Sequence, residues 1–125
     1  MIDMVIYGKP VAKARPRFGR SKSGKPVTYT SFETRKYEQE VKTLAQVAMF
    51  GKEMLEGPVR VKITAFFNHK TKTGYHTSRP DLDNIIKAIL DGLNGVIFAD
   101  DSAVAEIVAS KKYGEERVEV QIENV

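Results

Sequence analysis

Cysteine is absent from the 125 residues, which excludes a disulfide framework, a thiolate zinc site and a cysteine nucleophile. Histidine is scarce: His69 and His76 are the only two, too few for a His-rich zinc centre. No apolar run approaches the ~20 residues needed to cross a bilayer. The opening Met1-Ile2-Asp3-Met4-Val5 has neither the basic start nor the long apolar stretch of a secretory signal, so the expected location is cytoplasmic, with no membrane contact. Any metal should therefore be held by carboxylates. With 42% hydrophobic and 29% charged residues the chain can fill one modest core, and residues 1–125 read as a single domain.

Acids are missing from one stretch. Between Lys9 and Lys25 stand Lys9, Lys13, Arg15, Arg17, Arg20, Lys22 and Lys25, with no Asp or Glu among them. The net charge is +4, and without these seven residues the remaining 13 basic and 16 acidic side chains would be net negative. The tract is rich in Gly, Pro and Ser and reads as a loop or loose hairpin, a basic arm over about 9–30. Such an arm suits phosphate, because each cation that neutralises a phosphate releases condensed counterions. The less favoured alternatives are a solvated loop or a contact for an acidic protein.

The rest of the chain alternates between strand and helix patterns. Ile2–Tyr7 predicts a short strand. Thr30 and Glu33 have capping-box spacing, and Tyr37, Val41, Leu44, Ala45 and Ala48 recur at helical spacing up to about Gly51. Val59, Val61, Ile63, Ala65 and Phe67 alternate with Arg60, Lys62, Thr64 and Phe66, the period of a strand. A polar loop, Asn68–Arg79, carries His69, Lys70, Lys72 and His76 before Arg79. A second helix is expected over about Asp81–Asn94, burying Leu82, Ile85, Ile86, Ile89, Leu90 and Leu93. Val104–Lys112 and Arg117–Asn124 predict two strands, joined through Tyr113-Gly114-Glu115 as an antiparallel hairpin. The expected fold is α+β, a small mixed β-sheet with two main helices packed on one face, in the order β-α-β-α-β-β.

The chemistry-bearing residues are Arg79-Pro80-Asp81-Leu82-Asp83-Asn84-Ile85-Ile86-Lys87, then Asp91, then Asp100-Asp101. Asp81 and Asp83 at a helix start could simply be a cap and a first-turn acid. Asp83 and Lys87 stand at i, i+4 and could form an ordinary surface ion pair, with Asn84 and Asp91 turned toward solvent. Asp100-Asp101 could be turn formers. Three carboxylates converging from a helix start and a facing turn would instead make a hard-oxygen site suited to Mg²⁺ or Mn²⁺. With a lysine beside it and basic loops around it, that set fits metal-assisted phosphodiester hydrolysis.

The ordered set Asp81-Leu82-Asp83-Asn84-x-x-Lys87, Asp91-x-Leu93 and Asp100-Asp101 resembles the RusA family of Holliday-junction resolvases. The resemblance covers about Arg79–Val104. It implies that Asp81, Asp83 and Asp101 are catalytic metal-binding acids and that Lys87 is the catalytic lysine. The arm Lys13-Ala14-Arg15-Pro16-Arg17-Phe18 looks like that of a phage-related branch of the family. The implied activity is an Mg²⁺-dependent endodeoxyribonuclease, with Mn²⁺ as a substitute. It would act as a homodimer and resolve four-way DNA junctions by paired symmetric nicks in recombination and repair. The expected DNA contacts are Lys13, Arg15, Arg17, Arg20, Lys22, Lys25 and Arg79. Two other readings of the same residues stand beside it: a non-catalytic nucleic-acid-binding α+β module, and a nucleotidyl or glycosyl transferase using Asp-x-Asp. The transferase class generally needs a larger nucleotide-binding domain.

Overall fold

A computed structural model describes residues 1–13, 17–20, 26–29 and 32–125, with residues 17–20 and 26–29 described as backbone alone. Strand β1 (Ile2–Tyr7) is followed by a two-stranded antiparallel ribbon, β2 (Arg17–Arg20) and β3 (Pro26–Tyr29). Helix α1 (Phe32–Ala48), strand β4 (Val59–Phe67), helix α2 (Leu82–Leu93) and strands β5 (Val104–Tyr113) and β6 (Arg117–Asn124) complete the order. The expected α+β fold, a mixed sheet with two main helices, is what the chain forms. Among the described residues the arm adds the ribbon. The proposed capping residue Thr30 lies outside the described residues.

The main sheet runs β1-β6-β4-β5. Strand β4 is central because its alternate residues Val59, Val61, Ile63, Ala65 and Phe67 are all buried. It pairs antiparallel with β6 and parallel with β5. A parallel pair needs a long crossover, and the β4-to-β5 connection supplies it through α2. The expected β5–β6 hairpin does not form. Both strands flank β4, and the short turn between them crosses its end, where Gly114 N donates to Phe67 O at 3.0 Å. The place between β5 and β6 goes to the strand with the most apolar face, which leaves β5 at an edge with Ala105, Glu106, Ile107 and Val108 exposed.

The two helices are buried to different extents. Helix α2 buries Ile85, Ala88, Ile89, Leu90, Gly92 and Leu93, a wide stripe that joins the strands' core. Leu82 and Ile86, expected within that face, are half-buried at its margin. Helix α1 buries only Thr34, Tyr37, Val41 and Ala45, a narrow stripe suited to an outer position. The helices approach closely at Gly92, where an added Cβ would lie 2.5 Å from Val41 Cγ1. Among the described residues no helix is long and apolar enough to cross a membrane.

Candidate active site

The site begins where the polar loop ends and α2 starts. The Arg79–Pro80 peptide bond is cis. Asp81 takes the N-cap position with extended backbone (φ −69°, ψ 142°), yet its carboxylate makes no capping hydrogen bond. A purely structural N-cap would use that oxygen on the free N–H groups of the first turn. Asp81 instead lines an open cleft. Asp83, two residues on, is exposed, and its Oδ1 accepts from Asn84 N at 2.9 Å.

The second acid pair is held by the core. Ile97 and Phe98 are fully buried, so the chain emerges at Asp100 from a fixed point. Asp100 caps the short 3-10 turn Asp101–Ala103, accepting from Ser102 N at 3.3 Å. Hydrogen bonds from the Ser102 side chain first, and from its backbone N–H, hold the Asp100 carboxyl below the usual carboxylate range. Asp101 turns the other way, placing Oδ2 3.7 Å from Lys87 Nζ.

Lys87 also reaches forward along α2 to Asp91, with Nζ 3.0 Å from Oδ1. The hydrogen bond and charge of Asp91, joined by the charge of Asp101, raise the Lys87 pKa above that of an ordinary lysine, so the ammonium is firmly charged. Asp91 is not turned to solvent as its position on the helix suggests. It is half-buried, and its other oxygen lies 2.9 Å from Lys13 Nζ. Lys13 pairs with Glu38 of α1 as well, and its backbone N–H donates to Asn84 O at 2.8 Å. Burial opposes the charge on Lys13, but the two carboxylates outweigh it and raise the pKa. The base of the arm is thus fastened to both helices. Asn84 is likewise half-buried.

Asp81 and Arg79 line one cleft of about 670 Å³ with Lys9, Lys13, Asn68 and Asn84. The cleft carries three cations beside one of the candidate acids. Of the other expected DNA contacts, Arg17 and Arg20 lie on β2, and Arg15, Lys22 and Lys25 lie outside the described residues. Sequence reasoning missed the pairing role of Asp91 and the part played by Glu38. For Asp91 the i, i+4 spacing from Lys87 was an available signal. For Glu38, 25 positions from Lys13, none was.

The oxygen donors of Asp81, Asp83 and Asp101 are chemically right for a hard divalent cation. As placed they do not form a closed cage: among the described residues no three His, Cys, Asp or Glu side chains are grouped so that they could hold a metal ion. Each neighbouring acid has its own engagement, Asp101 with Lys87 and Asp83 with the Asn84 N–H.

Comparison with known proteins decides the family. A family model described as endodeoxyribonuclease RusA matches residues 7–123. The chain belongs to the RusA family. Among curated relatives, the uncharacterised protein YqaN of Bacillus subtilis (strain 168) is 33% identical, the alignment covering 99% of this chain and 96% of that one. A protein of Lactococcus phage r1t named crossover junction endodeoxyribonuclease rusA is 34% identical, over 54% of this chain and 56% of its own. A RusA chain is a nuclease by family, and the acid–lysine set described above falls within the matched residues.

Proposed function

We propose that this RusA-family chain is an Mg²⁺-dependent endodeoxyribonuclease that resolves four-way DNA junctions. It would act in the cytoplasm as a two-fold homodimer, nicking symmetric strands in recombination and repair. The observation that carries this reading is the state of Asp81: it sits at an N-cap, makes no capping bond, and faces a cleft lined by Lys9, Lys13 and Arg79. A binding module whose acids were only caps and turns would have no reason to leave that carboxylate free beside a phosphate-binding surface.

The geometry supports the following roles. Lys9, Arg79 and the arm attract and hold the sugar–phosphate backbone, which sets affinity and makes it salt-dependent. Lys87, held charged by Asp91 and standing 3.7 Å from Asp101, offsets the negative charge that develops on the phosphate as it is attacked. Asp81, Asp83 and Asp101 would hold Mg²⁺, with Mn²⁺ as a substitute. The ion's contribution is to activate water and neutralise phosphate charge. Asp101 is favoured over Asp100 as the third acid because Asp100 already caps its own turn.

Two nicks related by a two-fold axis need two sites, and this chain has one set of Asp81, Asp83 and Asp101. A symmetric dimer is the simplest assembly that matches the substrate. The direct test compares a four-way junction with linear duplex of the same sequence, with and without Mg²⁺. Cutting confined to the junction in the presence of the ion is the expected outcome. Tight binding to both substrates with no cutting in Mg²⁺ or Mn²⁺ would instead favour the non-catalytic module.

A further inference from the structure

Lys13 belongs to the basic arm, and by composition it is a phosphate contact like its neighbours. Its ammonium is placed otherwise. Glu38 of α1 pairs with it from one side, and Asp91 Oδ2 of α2 lies 2.9 Å away on the other. The backbone is fixed as well, since Lys13 N donates to Asn84 O, on the first turn of α2, at 2.8 Å. To take a phosphate, Lys13 would have to give up a charge-assisted bond, and such bonds are the strong ones.

The same carboxylate that holds Lys13 also holds Lys87. Lys87 Nζ lies 3.0 Å from Asp91 Oδ1 and 3.7 Å from Asp101 Oδ2. Asp91 is thus shared by two ammonium groups, and one carboxylate cannot balance both. Glu38 supplies the missing charge: by taking Lys13 it leaves Asp91 to Lys87. Lys13 in turn grips Oδ2, which stops the carboxylate from rotating and keeps Oδ1 toward Lys87. The Asp91 side chain is 16% exposed and that of Lys87 54%. The aspartate is therefore the fixed partner, and the lysine is the one that swings into solvent when its anchor is loosened.

We propose that Lys13 and Glu38 are positioning residues that, through Asp91, hold Lys87 beside Asp101, so that Lys13 serves the rate of cutting and not the grip on phosphate. The assignment rests on the nuclease reading. It gives α1, which carries none of the candidate metal-binding acids, a part in the site. It also sets two charge effects against each other. Glu38 repels a polyanion, so its loss favours DNA binding, yet the same loss loosens Lys87 and slows the reaction. A phosphate contact gives neither that opposition nor a rate effect at saturation.

The test is single-turnover cutting of a four-way junction at saturating protein, beside junction affinity and its salt slope measured without divalent cation. Lys13→Met is expected to cut about tenfold more slowly with an unchanged salt slope, because a small displacement of Lys87 costs rate and no phosphate contact is lost. Glu38→Gln should also cut more slowly while binding as tightly as the unsubstituted chain or more so. Lys13→Arg, which keeps the cation, should restore the rate. Lys13→Met added to Asp91→Asn should slow cutting no further than Asp91→Asn alone, since both act through one carboxylate. Thermal unfolding checks that each variant is folded at the assay temperature, and Glu38→Gln with Lys13→Arg carries the test if Lys13→Met is not. A salt slope lowered by about one unit in Lys13→Met makes Lys13 a phosphate contact and overturns the assignment. So does an unchanged rate at saturation, or a loss that adds fully to that of Asp91→Asn. An unsubstituted chain that never cuts overturns the nuclease reading and this assignment with it. Cutting by the unsubstituted chain with unaltered variant rates overturns the assignment alone.

Discussion

Lys87 and Asp91 stand one turn apart on α2, with the lysine Nζ 3.0 Å from the aspartate Oδ1, and that contact ties the catalytic candidate to the base of the arm. The second oxygen of the same carboxylate binds Lys13 at 2.9 Å. One half-buried aspartate therefore sets where two cations sit.

Replacing Asp91 by Asn keeps its shape and removes the charge that both lysines face. The pairs are partly exposed, so the loss of stability should fall below that of a fully buried pair, at about 1–2 kcal/mol. Lys87 would then be less well placed beside Asp101, and the nicking rate should fall more than junction affinity does. Urea unfolding measures the first effect, and single-turnover cutting with a parallel binding titration measures the second. A rate that stays unchanged while stability drops would reduce Asp91 to a structural pair.

Asp83→Asn removes a charge a hard cation needs. Cutting should vanish while junction binding persists or tightens, since the polyanion meets less repulsion. Lys87→Ala should lower turnover with little change in affinity, as expected for a group that acts mainly in the transition state. Junction binding in gel shifts, run beside cleavage, separates the two variants. Near wild-type cutting by Asp83→Asn would remove Asp83 from the site.

Gly92→Ala puts two effects in opposition. Alanine is favoured over glycine within a helix by about 1 kcal/mol. The added methyl, however, would lie 2.5 Å from Val41 Cγ1 and 3.1 Å from the Glu38 carbonyl, so α1 must move away. Overpacking of this kind costs about 1–3 kcal/mol, and with the backbone of α1 also in the way the net effect should be destabilising. A lowered thermal midpoint is the expected result, and an unchanged or raised one would show that the helices separate easily.

The arm is tested through salt. Arg15→Ala combined with Arg17→Ala should weaken binding to every DNA form and reduce the slope of log K against log salt by about one per lost phosphate contact. An unchanged slope would place these two arginines away from the DNA.

Dimer action is tested by mixing. Wild-type chains refolded with Asp83→Asn chains should give heterodimers that nick one strand of a junction extruded from a supercoiled plasmid, leaving open circles. Homodimers of the unsubstituted chain should give linear product. Linear product from isolated heterodimers would defeat the paired-site mechanism.

Periodicity in the sequence was enough to find β4, α1 and α2, because one buried face imposes a spacing of two or of three to four residues within a single segment. The order of the acids and the lysine pointed to the family for a similar reason: Asp81, Asp83 and Lys87 share one helix, so their relation is local. What no local pattern carried was which strands lie side by side. Val104–Tyr113 and Arg117–Asn124 look like hairpin partners, but β4 buries more apolar surface between them and takes the central place. The long-range partners of Asp91 were hidden for the same reason. Its two cations come from the arm and from α2, and Glu38 completes the cluster from a third segment. Lys87 reaches Asp91 within α2, but only packing α1 against α2 brings Glu38 and Lys13 to the same cluster, since charge pairing across distant segments depends on where the core places them.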